Sequence, residues 1–571
     1  MVDIHFKQSR FLRYFSEDRL FDSLVMLIQH VLFFSFIGCC CSLNVLFVSV
    51  TAAGHLTPIF ELAKSMKNHN MTFLTGQSAR YYIPMNDYIS PSFRVVYSDS
   101  SSDAFATERK LEEDLMLLAS NQSIFDAIPQ IAPMFAQMMI PLLNATTSLL
   151  EQEHFDVIIY GRILSAMSVL CEKMSIPCVV QSPVPSINVF NFNLPNLFSL
   201  LKVEQLSEIP YRIYNVLFTL RMTIKIVSKL IPTVYKQYSS LPGISESFDQ
   251  TFTLKNFFFS KVKCLHLISA PSTLYPPTYS DHFTKYLGPF INPTYHHSNN
   301  ESSSLWIESK EENSLIYGAF GSSSIIPYDR MFDLINGLAQ FLLKTDQSYL
   351  FLALRNVNYD TYETVLRDLK NKQIREMLTN ENRVWIEKGF VKQKWILQQK
   401  SVQIFLSHAG MNSLLEGLYF RKTILCMPFN MEQFANAMTI ENRYLGQSLF
   451  QPPSLFSSLL DPYYFIHYTF TSESVTNKLL SIWNNDRYQR ETKLMSLEMK
   501  HAGGLKRAVE EIEFFVNLNG NLDRFAPFQS TLSFYQRYFI DLLFIFVLFP
   551  AILFISIKRR YLKRQTKSKK D

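Results

Sequence analysis

Gln403-Ile-Phe-Leu-Ser-His408-Ala-Gly410-Met-Asn412-Ser413-Leu-Leu-Glu416-Gly-Leu-Tyr-Phe-Arg-Lys-Thr423-Ile-Leu-Cys-Met427-Pro428-Phe-Asn-Met-Glu432-Gln433-Phe-Ala-Asn436 decides the fold of this 571-residue chain. An apolar run, Ile404 to Leu406, ends in Ser407-His408-Ala409-Gly410. Asn412 or Ser413 can then cap a helix whose apolar residues include Leu414, Leu415, Leu418 and Tyr419. A second apolar run, Thr423 to Met427, stops at Pro428, and Glu432-Gln433 opens another helix. Strand, turn and helix, repeated, is the alternation of a parallel sheet covered by helices. Such a sheet binds ligands in the loops beyond the carboxyl ends of its strands. A helix N-terminus there, with free N–H groups and a partial positive charge, suits a diphosphate. His408 and Ser413 flank that terminus, and Glu416 can reach a pair of ribose hydroxyls. Glu432 and Gln433 offer an acceptor pair and a mixed donor and acceptor, which suits sugar hydroxyls.

The frame Phe405-Leu-Ser-His408-x-Gly410-x-Asn412-Ser413-x-x-Glu416, then Pro428, then Glu432-Gln433-x-x-Asn436, resembles the signature of the UDP-glycosyltransferases. The resemblance is greatest to the membrane-bound UDP-glucuronosyltransferases of animals. It implies an α/β fold of two Rossmann-like doubly wound domains facing across a cleft (GT-B-like), plus a C-terminal transmembrane helix.

Composition narrows the alternatives. Phe (49) and Tyr (28) are abundant, which fits greasy pockets or contact with membrane. The net charge of +6 is unevenly placed: residues 558–571 hold eight basic residues and one acid, so the rest of the chain is near neutral. That excludes a general nucleic-acid surface and points to a local basic tail. The seven cysteines, three of them consecutive at Cys39 to Cys41, have no metal spacing and suggest no disulfide framework.

In chain order, residues 1–42 read as an N-terminal segment with a signal peptide, its apolar core near 24–42 and Met26 an alternative start. Residues 43–287 read as an acceptor-binding Rossmann-like domain. Asn44 to Val50 is a buried strand, and Thr57 and Pro58 are expected to start the helix after it. His55 lies in the intervening turn, Thr51-Ala-Ala-Gly-His55-Leu-Thr-Pro58, at the ligand crevice of a doubly wound domain. That context resembles the family's N-terminal motif, whose His is the general base. Family members place an Asp at the end of a later strand to orient this His; here the strand Asp156-Val-Ile-Ile-Tyr-Gly161 ends in Gly161. Residues 183–243 resemble the family's variable acceptor-side helices, which can also rest on the bilayer surface; plain core is the equal alternative.

A polar linker, 288–313, precedes the UDP-sugar-binding domain, 314–530. Leu315 to Phe320 is its first strand, and the turn Gly321-Ser322-Ser323-Ser324 resembles the family's donor loop. Many relatives carry Trp-x-Pro-Gln where this chain has Phe390-Val-Lys392-Gln393; Phe390 can stack on uracil and Gln393 matches. Glu432 stands where the family usually has Asp. Residues 538–557 are long and apolar enough to span a bilayer, and the basic tail 558–571 orients them with the tail in the cytosol. Lys567-x-Lys569-x-x resembles an endoplasmic-reticulum retrieval signal. Sequons stand at Asn70, Asn121, Asn144 and Asn300, with Asn121 and Asn300 the better glycosylation candidates and Asn70 expected to be buried against a strand.

The resemblance implies metal-free, inverting transfer of a sugar, glucuronate first and glucose as alternative, from a UDP-sugar to a small lipophilic acceptor. No cofactor is expected, UDP-sugar being a co-substrate. His55 is the expected base, and Ser322, Phe390, Gln393, His408, Gly410, Asn412, Ser413, Glu416, Glu432 and Gln433 the donor site. The implied setting is the endoplasmic-reticulum membrane, single-pass (type I), with a lumenal body; self-association stays open. Two other classes compete: a catalytically weak UDP-sugar or lipid-binding relative, motivated by Gly161 and Lys392, and a receptor-like single-pass protein with no nucleotide site.

Overall fold

From Asn44 onward short apolar runs alternate with helical stretches, and the runs become strands. The computed structural model describes residues 42–83, 90–99, 101–121, 124–164, 166–184, 195–196, 199–202, 204–225, 228, 263–275, 282–292, 302–322, 324–429, 431–452, 468–528 and 532–568. The expected signal segment, and Asn300, lie outside these residues.

The first sheet contains β1 (Asn44–Val48), β2 (Asn70–Thr75), β3 (Phe93–Tyr97), β4 (Val157–Gly161), β5 (Cys178–Ser182), β6 (Leu265–Ile268) and β7 (Thr284–Tyr286), in the order β3-β2-β1-β4-β5-β6-β7. The second contains β8 (Leu315–Ala319), β9 (Tyr349–Leu354), β10 (Val384–Lys388), β11 (Val402–Ser407), β12 (Thr423–Cys426) and β13 (Gly446–Ser448), in the order β10-β9-β8-β11-β12-β13. Neighbouring strands pair in parallel throughout. Parallel strands need crossovers that cover both faces, which is why the central strands are mostly apolar and are buried along nearly their whole length. The order reverses between β1 and β4 in one sheet and between β8 and β11 in the other. These reversals open the crevices in which doubly wound sheets bind ligands.

The helices that matter below are α1 (Ala53–Ser65), α2 (Ala104–Asn121), α3 (Ile124–Gln152), α4 (Ile209–Lys225), α5 (Tyr328–Lys344), α6 (Gln393–Gln398), α7 (Met411–Tyr419), α8 (Met431–Asn442), α9 (Asp486–His501) and α10 (Gly504–Asn517). α5 lays Leu334, Ile335, Leu338, Ala339 and Leu342 on the second sheet at helical spacing. α4 is the longest described element of the expected acceptor-side segment, and it exposes Ile209, Ile213, Leu217, Leu220 and Ile224. α10 leaves the second sheet: Ala508, Ile512 and Phe515 bury themselves with Val45, Phe47, Leu56 and Phe60 of the first. The stretch read from sequence as the end of the second domain thus completes the core of the first.

Three local expectations are corrected. The helix after β1 starts at Ala53, not at Pro58, and the residue before it offers no capping side chain. Pro58 is tolerated inside it because the carbonyl its missing N–H leaves free, that of Gly54, accepts a hydrogen bond from Asn412 Nδ2 at 2.5 Å. Cys178 and Cys264 form a disulfide. They lie 86 residues apart, and only the pairing of β5 with β6, Val179 opposite Leu265, sets them side by side. Asn70 is exposed rather than buried; its amide donates to Asn44 Oδ1 at 3.1 Å, while the sequon threonine, Thr72, is buried. Asn144 is exposed on α3, and Asn121 is the last residue of α2.

Among the described residues, one helix, Ile540–Leu562, is long and apolar enough to cross a membrane. No residue of its most apolar stretch is buried in the protein. A π-helical turn, Phe544–Leu548, precedes Pro550 and absorbs the backbone irregularity that proline imposes.

Candidate active site

Gly321 and His408 follow the two strands at the reversal of the second sheet. His408 is buried, with its ring held between two glycines. A Cβ on Gly410 would stand 2.3 Å from Nε2, and one on Gly321 2.6 Å. Gly321 also adopts φ +70°, which favours glycine for a second reason. Burial holds the imidazole pKa down at about 4, so the ring is neutral at physiological pH. Nδ1 is buried without a hydrogen-bond partner among the described residues. An unpaired buried N–H is rarer than an unpaired acceptor, so the proton is assigned to Nε2, which faces the gap between the glycines. A neutral N–H donor beside the N-terminus of α7 can serve a diphosphate oxygen.

The turn is braced from behind. Ala409 has φ +64°. Its N–H donates to Ser407 Oγ at 3.3 Å, and its carbonyl accepts from Asn436 Nδ2 at 3.0 Å. Tyr275, arriving from the first domain, donates to Asn436 Oδ1 at 3.2 Å. The Asn436 of the sequence frame therefore supports the turn.

Gln393, Ser413 and Glu416 form one cluster. Gln393 Nε2 donates to Glu416 Oε2 at 2.7 Å and to Ser413 Oγ at 3.3 Å, and its Oε1 accepts from Tyr317 OH at 3.4 Å. Burial raises the Glu416 pKa, while Lys394 and Gln393 oppose the rise. Gln433 is buried, with Oε1 accepting from the Phe429 N–H at 2.8 Å. Glu432 is in the first turn of α8; its side chain reaches solvent, yet the cleft walls desolvate the carboxylate and raise its pKa. Ser322 is half-buried in the turn after β8.

Phe390 is 53 % exposed, and its ring meets Tyr81 and Tyr82 of the first domain edge-on, with centroids 5.7 and 6.1 Å away. The Arg355 guanidinium lies 5.9 Å from the ring. The Phe390 ring is thus bordered by first-domain rings.

On the other side of the cleft, His55 lies in the first turn of α1, half-buried, with its pKa lowered by burial. No described side chain hydrogen-bonds to its ring. At Gly161, which ends β4, a Cβ would lie 3.1 Å from Ile59 Cδ1, one helical turn beyond His55. A side chain at 161 would therefore point at the helix that carries His55, and Ile59 fills that space. The loop before α1 is held instead by a buried carboxylate. Glu112 on α2 accepts from Thr51 Oγ1, from Ser78 Oγ at 3.1 Å, from Tyr82 OH at 3.0 Å and from Arg109 at 2.9 Å.

The turn before α7 and the His55 turn meet directly. Asn412, at the start of α7, makes the bond to Gly54 described above, and Lys394 Nζ lies 3.0 Å from Glu61 Oε1 of α1. Sequence reasoning missed Lys394, Glu61, Glu112 and Tyr317. Their partners are far away in the chain, and the residues follow no motif.

Two parallel sheets with their ligand loops opposed define the GT-B class of glycosyltransferases. The same fold is found in the glycosyltransferase of kitacinnamycin (TM-score 0.55, 15% identity, 83% of this chain and 99% of that one). It is found as well in a Polygonum tinctorium UDP-glucosyltransferase capable of glucosylating indoxyl (TM-score 0.54, 14% identity, 83% and 99%). The family model described as UDP-glucoronosyl and UDP-glucosyl transferase matches residues 363–570. UDP-glycosyltransferase 76E7 of Arabidopsis thaliana is 24% identical over 417 residues, 70% of this chain and 83% of the relative. Residues 363–570 thus match the UDP-glycosyltransferase family, and the relatives point the same way for the rest of the chain.

Proposed function

We propose that this protein transfers a sugar, glucuronate in the first instance, from its UDP conjugate to a hydroxyl group of a small lipophilic acceptor, with inversion. The observation that carries the proposal is the juxtaposition of His55 with the α7 N-terminus through the Asn412–Gly54 bond. His55 takes the acceptor proton as the oxygen attacks the anomeric carbon. The departing diphosphate is met by His408 Nε2–H, the α7 N-terminus, Ser322 and Ser413. Glu416 holds the ribose, Phe390 the uracil, and Glu432 and Gln433 the sugar. The base works neutral, and burial that lowers the His55 pKa keeps it so at physiological pH.

What supports glucuronate is the resemblance of the donor stretch to membrane-bound glucuronosyltransferases, with which a C-terminal helix able to cross a membrane agrees. UDP-glucose is the competing donor, favoured by the fold shared with the indoxyl-glucosylating enzyme. A slow or non-catalytic UDP-sugar-binding protein is the second reading, favoured by the absence of a described acid bonded to His55. The disulfide supports an oxidising compartment for the body, as in the endoplasmic-reticulum lumen, with the helix after Ile540 as anchor and the basic tail outside.

The test is UDP release by membranes carrying the full-length protein. UDP-glucuronic acid and UDP-glucose are offered separately, with phenols, steroids and bile-acid-like alcohols, beside His55→Ala. Acceptor-dependent release that vanishes in the variant supports the transferase and names its donor. Release unchanged by His55→Ala overturns the assigned base, and UDP binding without release favours the second reading.

A further inference from the structure

α1 is joined to the second domain at two successive turns, the first through Asn412 of the sequence signature and the second through Lys394, which lies outside it. At the first turn, Pro58 leaves the Gly54 carbonyl without an intrahelical donor, and Asn412 of the facing domain supplies one. Further along, Glu61 is buried, with Oε1 3.0 Å from Lys394 Nζ and Oε2 3.1 Å from Lys64 Nζ. Only 13 % of the Lys394 side chain and 11 % of the Glu61 side chain are exposed, so the pair is shielded from water and salt. Lys394 follows Gln393, whose amide holds Glu416 at 2.7 Å. Lys394 thus pairs with the carboxylate on α1 that follows His55, while its neighbour Gln393 holds the carboxylate of α7, which also feels the Lys394 charge.

We propose that Lys394 is a positioning residue for the transfer reaction, fixing α1 and the reach of His55 against the donor domain by linking Glu61 to the Gln393–Glu416 cluster. The inference rests on the base and donor assignments of the proposed function. Titration agrees with a shared ammonium. Burial raises the Glu61 pKa, but Lys394 and Lys64 more than offset it and the net shift is downward. Burial likewise raises Glu416, against the pull of Lys394. Removing one member of a buried pair leaves the other charge uncompensated, so both partners should report the same defect.

The experiment combines hydrogen exchange with kinetics on the full-length protein in a membrane mimic. UDP is the probe, and the variants are Lys394→Gln, Glu61→Gln, the double variant and Lys394→Arg. UDP should slow exchange of the α1 amides in the parent protein, and that slowing should be lost in both single variants. kcat should fall about tenfold in each single variant, with UDP Kd held within about threefold, and the double variant should be no slower than the singles. Lys394→Arg should retain most of the rate. Equal UDP protection of α1 in Lys394→Gln, or losses that multiply in the double variant, would overturn the inference even where the parent binds UDP and transfers sugar. A parent that binds no UDP would instead sink the proposed function, and this inference with it. If Lys394→Gln is too unstable to measure, Glu61→Gln carries the same readouts with Lys394 in place.

Discussion

The two halves of the cleft are built on the same plan and finished differently. In the second domain the loops are held mostly by bonds within that domain, with Tyr275 of the first domain the described addition behind Asn436. His408 is clamped by Gly321 and Gly410, Gln393 ties Glu416 to Ser413, and Asn436 braces Ala409. In the first domain His55 has no described partner on its ring, and Ile59 occupies the direction from which an orienting carboxylate would come. Its turn is fixed indirectly, by Glu112 below and by the opposite domain above. The contrast teaches that the proposed donor site is braced mostly by its own domain, whereas the placement of His55, the proposed base, depends on the two domains meeting.

The largest expected effect tests that division. His55→Ala should lower kcat about 10²- to 10⁴-fold, as loss of a general base does, with UDP affinity unchanged by calorimetry. A large loss of UDP affinity would break the contrast. Next, Gly410→Ala places a methyl 2.3 Å from His408 Nε2. Displacing that ring should weaken UDP binding by about 1–3 kcal/mol, roughly 10- to 100-fold in Kd. A smaller effect should follow from Gly161→Asp combined with Ile59→Val, which makes room for the new side chain. The acid limb of kcat/KM tracks neutral His55 and should lie below 6.5, because burial lowers that pKa. An anion beside the ring favours imidazolium, so the limb should move to higher pH by about one unit. An unmoved pH profile would show that position 161 does not reach the base. The smallest effect is expected from Pro58→Ala, which returns an N–H to the Gly54 carbonyl. kcat should fall about two- to fivefold while Tm does not drop, because the helix gains a bond as the domain contact weakens.

How much of this was legible in the sequence follows the same division. The strands β1, β4, β8, β11 and β12 were plain from apolar runs that end in Gly, His or Pro. The donor turn was plain because its residues are contiguous. The start of α1 was misjudged because Pro58 usually marks a first turn, and the donor that excuses it, Asn412, comes from 358 residues away. The Cys178–Cys264 bond was missed because sequence spacing carries no information about strand neighbours. Lys394 and Glu61 look like ordinary surface charges until two domains are brought together. β3, β7 and β13 are edge or near-edge strands, where apolar patterning is weakest.

The path of α10 also bears on how the protein is made. The core laid down by β1 and α1 stays open until Ala508, Ile512 and Phe515 arrive from the far end of the chain. During synthesis the first domain to emerge is therefore the last to close, and it waits with an apolar face uncovered while the whole second domain is translated. The sealing helix is delivered shortly before the apolar span that begins at Ile540. A ribosome stalled, or a transcript truncated, between the second sheet and Gly504 would leave a finished donor domain joined to an unfinished partner, a natural substrate for chaperones and quality control.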